Sequence, residues 1–361
     1  MTGLAAPFPW FGGKRKVAPE VWAALGDPDN YIEPFAGSLA VLLNRPPFGP
    51  DGMRRKETVN DADGFVCNAW RAIAADPEAV AAWASGPLNE TDLFARHLWL
   101  VNDGRSRLLH GMEADPDYFD VKIAGWWLWG IAGWIGSGWC SGTGPWTVED
   151  GEIRKRPHLG NAGQGVNRKR PHLGDAGQGV NRKRPHLGNA GQGVNRQRPH
   201  LGDAGQGLVS YMFALADRLA TVNVCNGDWS RVCTRGAMNY GRTVGIFLDP
   251  PYLGDVRTAD LYAVDDHTIA NEVRDWCLAN GDDPRLRIVL AGYDNEHDHL
   301  IPHTWRRVRW SAGVAYGTTA AKERGEEGNR SERHREVLWC SPHCLDPAAD
   351  PDQGSLFGEA S

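Results

Sequence analysis

The sequence predicts an α/β fold, a doubly wound sheet interrupted by a long insertion. Three observations carry that expectation. Short apolar runs recur along the chain, each closing on polar or acidic residues. Segments with helical spacing lie among them. Residues from about 100 to 210 break the rhythm, first with a Trp- and Gly-rich stretch and then with a repeat.

Taken in order, Tyr31-Ile-Glu-Pro-Phe35 reads as a short buried strand entering a Gly turn, and the apolar run Leu39 to Leu43 follows. Glu57-Thr-Val-Asn-Asp61 reads as a second strand with acids at its carboxyl end. Ala69 to Ala84 has the spacing of a helix. Val222 to Cys225, Gly245 to Asp249 and Leu286 to Ala291 read as further strands, with a helix at His267 to Asn280 between the last two. Trp126, Trp127, Trp129, Trp134, Trp139 and Trp146 crowd the insertion and read as core rather than as a stacking surface. Ser137 to Trp146 reads as a turn-rich contact loop.

A length of 361 residues leaves room for one large domain or two. No basic run followed by an apolar stretch opens the sequence, which argues against a secretory signal. Ile123 to Ile135 is shorter than the roughly 20 residues of a membrane span, and Gly125, Gly130 and Gly133 interrupt it. A soluble, cytoplasmic, monomeric protein without a membrane partner is the expectation. The seven cysteines are scattered, so reduced thiols are expected. Cys340 and Cys344, beside His343, have no second pair of ligands nearby, so no metal site is expected.

Net charge is −6, yet residues 154–207 carry eleven Lys and Arg against two acids, Asp175 and Asp203. This basic segment is an internal repeat with a period of 14 and four copies, beginning at Arg154, Arg168, Arg182 and Arg196. Each copy has one Pro, three Gly and few apolar residues, so short extended pieces, turns or a mobile loop are expected rather than a helix. Concentrated positive charge on an acidic body suits a phosphate backbone.

The strongest chemical motif is Ile246-Phe-Leu-Asp249-Pro250-Pro251-Tyr252. A buried strand ends in a carboxylate, two prolines fix the backbone, and an aromatic follows. The prolines cannot donate hydrogen bonds, so the turn is rigid and rich in acceptors. Asp249 and the Pro250 carbonyl can accept from an exocyclic amine and favour its nucleophilic form. Tyr252 offers a face for an extruded base. A capped Pro-Pro turn without chemistry is the alternative reading of the tetrapeptide taken alone.

Four motifs stand in order: Trp10-Phe-Gly-Gly13-Lys14, Glu33-Pro-Phe35-Ala-Gly37-Ser38, Asn60-Asp61 and Asp249-Pro-Pro-Tyr252. This set resembles the α-group, Dam-like DNA adenine-N6 methyltransferases over about residues 1–70 and 210–345. The resemblance implies a Rossmann-like methyltransferase sheet with an inserted target-recognition region carrying the four 14-residue repeats. Residues 1–100 and 210–345 would form a discontinuous methyltransferase domain, and 101–209 the insertion, with repeats at 154–208. Residues 346–361 would form a disordered tail.

The resemblance also implies S-adenosylmethionine as cofactor. Trp10, Gly13 and Lys14 would face its methionine end, with Lys14 able to pair with its carboxylate. Glu33, Phe35 and Gly37 would form the Gly turn that approaches it, and Ser38 stands where the family usually has a second glycine. Asp61 would accept from the ribose hydroxyls; the bland alternative is a helix N-cap. Asp228 and Trp229 would lie against the cofactor's adenine, and Asp249 would serve both cofactor and substrate. The implied partner is double-stranded DNA, contacted by Arg154, Lys155, Arg156, Arg168, Lys169, Arg170, Arg182, Lys183 and Arg184; solvated charges on a loop are the alternative. Asp294 and His297 read as loop residues without a role.

The implied activity is site-specific transfer of a methyl group to N6 of a flipped-out adenine, in the setting of restriction and modification. Methylation of RNA or of a protein glutamine is one alternative, and a non-catalytic DNA-binding protein another. Aspartate rather than asparagine at 249 favours adenine over glutamine.

Overall fold

In the computed structural model, residues 4–10, 13–46, 55–134, 139–140, 146–149, 152–155, 204–251, 266–309 and 336–346 are described. The chain divides into two compact units. The first comprises Met1–Phe11, Asp61–Gly227 and Val256–Asp265; the second comprises Gly12–Asn60, Asp228–Asp255 and Asp266–Ser361.

The strands are β1 (Asn30–Glu33), β2 (Lys56–Asp61), β3 (Trp146–Glu149), β4 (Glu152–Lys155), β5 (Val222–Asn226), β6 (Val244–Leu248), β7 (Leu286–Tyr293), β8 (Arg306–Arg309) and β9 (Glu336–Cys340). The main sheet has seven strands, and the six from the second unit run in the order β2-β1-β6-β7-β9-β8. β2, β1, β6 and β7 are parallel, whereas β9 runs antiparallel to β7 and β8. The α/β sheet expected from the apolar runs is therefore present, consistent with a Rossmann-like methyltransferase sheet. β1 and β6 are buried along their whole length, as strands covered on both faces must be.

Helix α1 (Ala18–Leu25) opens with Pro19 in its first turn, a position that needs no backbone donor. It packs the second unit's core through Val21, Trp22 and Leu25, and the Trp22 indole donates to the Val41 carbonyl at 2.9 Å. Helix α8 (Asp266–Asn280) precedes β7, matching the expected helix at His267.

The first unit is mainly helical: α2 (Gly64–Ala75), α3 (Pro77–Ala84), α4 (Glu90–Trp99), α5 (Arg105–Ala114), α6 (Val121–Gly133) and α7 (Ala204–Leu219), with one π turn at Leu100–Gly104. The single helix expected over Ala69 to Ala84 is in fact two. Asp76 ends α2 and caps α3 by accepting from the Ala79 amide, and Pro77 starts α3, where a proline cannot continue the preceding helix.

Trp127 and Trp129 on α6 and Trp139 after it are buried, as expected of core, while Trp126 and Trp134 are half-buried. Gly125 lets α6 close on α3. A Cβ there would clash with the Trp83 side chain and stand 3.0 Å from the Val80 carbonyl oxygen.

The repeat departs from expectation at its end. Ala204 to Leu208 of the last copy begins α7, because the apolar residues that follow supply a buried face through Met212, Leu215 and Leu219. At its start, Arg154 and Lys155 lie in β4, paired antiparallel with β3. Arg156, Arg168, Lys169, Arg170, Arg182, Lys183 and Arg184 lie outside the described residues, as does the expected tail beyond residue 346. Among the described residues, no helix is long and apolar enough to cross a membrane.

Candidate active site

In the second unit, β1 ends at Glu33 and the chain turns at once. Gly37 has φ +45° and Leu39 φ +52°, and the turn is closed by hydrogen bonds from Ala36 N to Asn60 O and from Leu39 N to Ala36 O, both 2.8 Å. Asn60 Nδ2 donates to the Pro34 carbonyl at 3.1 Å, so β2 pins the turn that follows β1. Glycine at 37 relieves the left-handed strain that a Cβ would impose.

Glu33 is buried and accepts from the Tyr31 hydroxyl at 2.9 Å. Burial, and then Glu33 itself, push the Tyr31 phenol well above its usual range, so it stays a donor.

Phe35 stacks on Trp229, with ring centroids 6.2 Å apart and planes 24° apart. Trp229 is itself buried and also packs at 88° to the Trp276 ring, with centroids 6.2 Å apart. Asp228 beside it is exposed and caps the short 3-10 turn Trp229–Val232, accepting from the Ser230 amide at 2.9 Å. The structure thus brings together Phe35 and Trp229, two residues singled out from separate motifs.

At the end of β6, Asp249 forms an ion pair with Lys14 at 3.1 Å. Lys14 begins the 3-10 turn Lys14–Lys16, which exposed Gly13 precedes. Lys14 is only 5% exposed, and burial alone would lower its pKa. Asp249 and then Glu336 outweigh burial and raise it, so the ammonium stays charged. Pro250 is buried and Pro251 half-buried; Tyr252 lies outside the described residues.

In the first unit, Asp61 is 7% exposed at the end of β2. Its carbonyl receives the Gly227 amide at 3.0 Å, the Asn226 side-chain amide at 2.9 Å and the Cys67 thiol at 3.3 Å, which fix its backbone. Its Oδ1 accepts from the Asp63 amide at 2.9 Å. The N-cap of α2 is Asp63, which accepts from Phe65 N at 2.8 Å, so Asp61 is not itself the cap. Trp10 is half-buried, with its ring edge-on to Phe8 at 5.9 Å.

Residues 10–96 match the D12 class N6 adenine-specific DNA methyltransferases. These are enzymes that methylate adenine in DNA, and the match agrees with the Dam-like resemblance. The methyltransferase match takes in Trp10 to Lys14, Glu33 to Ser38 and Asn60-Asp61, and ends before Asp228 and Asp249. No curated protein matches the chain.

Sequence reasoning overlooked Glu336. It looked for functional acids where strands end, and Glu336 stands where β9 begins. Because β9 is antiparallel, its first residue is registered against Tyr293, the last residue of β7. A polar residue heading the apolar run Val337 to Cys340 was the signal available.

Proposed function

We propose that the protein transfers a methyl group from S-adenosylmethionine to N6 of an adenine flipped out of duplex DNA. The observation that carries this reading is the Asp249–Lys14 pair at the end of a central parallel strand. Strand ends of open parallel sheets are where such folds place their ligands.

The residues present suit the cofactor. Gly37 lets the backbone approach a ligand without a Cβ in the way. Phe35 and Trp229 give an aromatic border for an adenine ring, and Asp61 has the chemistry to accept from ribose hydroxyls. Glu33, held by Tyr31, and Gly13 and Trp10 complete the set carried over from the family resemblance. When bound, the cofactor supplies an electrophilic methyl group on a sulfonium.

The chain's own contribution is positioning and electrostatics. Asp249 accepts a hydrogen bond from the adenine amine, and the Pro250 carbonyl accepts a second. Both oppose delocalisation of the nitrogen lone pair into the ring. Tyr252 stacks on the extruded base. Lys14 balances the Asp249 charge and keeps that carboxylate oriented. No covalent enzyme intermediate is required.

Target choice falls to the region between Asp61 and Asp228, where the basic repeat supplies groups for phosphate and base edges. Transfer of label from tritiated S-adenosylmethionine to duplex DNA, RNA and protein tests the reading. Label in N6-methyladenine of duplex DNA supports it; label only in RNA or protein, or none, overturns it. Deleting two repeat units in the same assay tests their part in affinity and specificity.

A further inference from the structure

Two carboxylates act on Lys14, one just after β6 and one at the start of β9. Asp249 follows β6 and contacts Lys14 at 3.1 Å; Glu336 opens β9. The order β6-β7-β9 and the registers Leu248↔Leu290 and Tyr293↔Glu336 bring the start of β9 to the sheet edge where β6 and β7 finish. Glu336 is half-buried there. Among the described residues, Asp249 and then Glu336 act on the Lys14 ammonium, and Lys14 and then Asp249 act on Glu336.

This arrangement answers a difficulty in the chemistry. Asp249 is asked to serve two partners, the buried ammonium and the substrate amine. As it gives hydrogen-bonding capacity to the amine, Lys14 loses part of its compensation in a place where an uncompensated charge is costly.

We propose that Glu336 is a positioning residue that holds Lys14 at the site while Asp249 turns to the adenine amine; this rests on the methyl-transfer reading above. Glu336 itself does not touch substrate. It acts through Lys14, whose place and charge it preserves, and through Lys14 on the orientation of Asp249. Burial, the largest influence on Glu336, raises its pKa; Lys14 opposes this and Asp249 adds to it, with a net upward shift. The place of Glu336 at the sheet edge where β6 and β7 finish, with Lys14 favouring its charged form, fits a second counter-ion to Lys14 rather than an incidental surface acid.

The test uses the full chain as wild type, Glu336→Gln and Glu336→Asp, with lysines labelled at Cε and Nζ. The Lys14 resonance is assigned by its absence in Lys14→Arg. In Glu336→Gln the Lys14 titration midpoint is expected to fall by about one unit or more, because burial is then less opposed, and Glu336→Asp should restore most of it.

Methyl transfer to duplex DNA should lose about tenfold to a hundredfold in kcat, with KM for cofactor and DNA kept within about threefold. The alkaline limb of the kcat profile should move to lower pH together with the lysine. A Lys14 midpoint unchanged in Glu336→Gln overturns the proposal, as does an unchanged kcat with an unshifted limb. A wild-type chain that methylates nothing defeats the proposed function instead, and the lysine titration then still decides whether Glu336 holds Lys14.

Discussion

Lys14 and Asp249 stand 3.1 Å apart, one from a turn near the amino terminus and the other from the end of β6. The carboxylate that the resemblance makes catalytic therefore has its counter-ion supplied by the chain. The resemblance implies that Lys14 faces the methionine end of the cofactor, and in the structure it pairs with Asp249.

Replacing Asp249 by Asn keeps the shape of the side chain and removes its charge. Methyl transfer should fall by about two to three orders of magnitude, as when one preorganised polar group is lost from an active site. Affinity for S-adenosylmethionine by calorimetry should stay within about tenfold. Full activity in Asp249→Asn would remove this carboxylate from the mechanism.

Gly37 occupies a left-handed conformation at φ +45° in the turn after β1. Gly37→Val should cost about 1–2 kcal/mol in urea unfolding, since a β-branched residue tolerates that region poorly. On the proposed reading cofactor affinity should drop as well, because the turn at Gly37 is where the backbone would approach the ligand. Unchanged affinity and stability together would deny the turn both roles.

His297 is fully buried beneath Gly292 and packs edge-on to Trp339, and neither ring nitrogen has a hydrogen-bond partner among the described residues. Burial first, and then Arg274, lower its pKa from 6.5 to about 4. Its folded pKa is depressed, so the unfolded chain takes up the proton first as pH falls. The stability linked to it is present above pH 6.5 and is lost as pH drops toward 4. Between pH 7 and pH 5 the wild type should lose about 2 kcal/mol through this residue. His297→Leu should flatten the profile of urea midpoints by that amount; parallel profiles would exclude the assignment.

Gly125→Ala tests the packing of α6 on α3. The added methyl meets the Trp83 side chain and the helix backbone at Val80, neither of which can yield cheaply. A loss of about 1–3 kcal/mol in thermal or urea unfolding is expected, against the gain that Ala for Gly gives in an unobstructed helix. A stabilised variant would show that the two helices separate without cost.

What the sequence disclosed followed from burial. β1, β6 and β7 are covered on both faces, so they appear as apolar runs, and the acids at their ends mark where the runs stop. β8 was invisible because an edge strand reading Arg-Arg-Val-Arg has no apolar signature. The break at Asp76-Pro77 was missed because the apolar spacing continues through it, although Pro77 carried the information. Among the candidate site residues, Lys14 and Asp249 are singled out by their motifs, but their pairing depends on chain segments some 235 residues apart, which periodicity cannot register. Glu336 was hidden by strand direction, since only topology shows that β9 is reversed.

The placement of β9 between β7 and β8 also bears on the order of assembly. β8 is made first, yet its neighbour in the sheet is β9, so it has no backbone partner in the sheet until β9 has been synthesised. β9 is the strand that pairs with β7, and Glu336, the second acid acting on Lys14, is its first residue. A nascent chain truncated before β9 would carry every residue of the four amino-terminal and central motifs and still lack Glu336, the second acid acting on Lys14. On the methyl-transfer reading proposed above, competence for chemistry would then wait until β9 has been made.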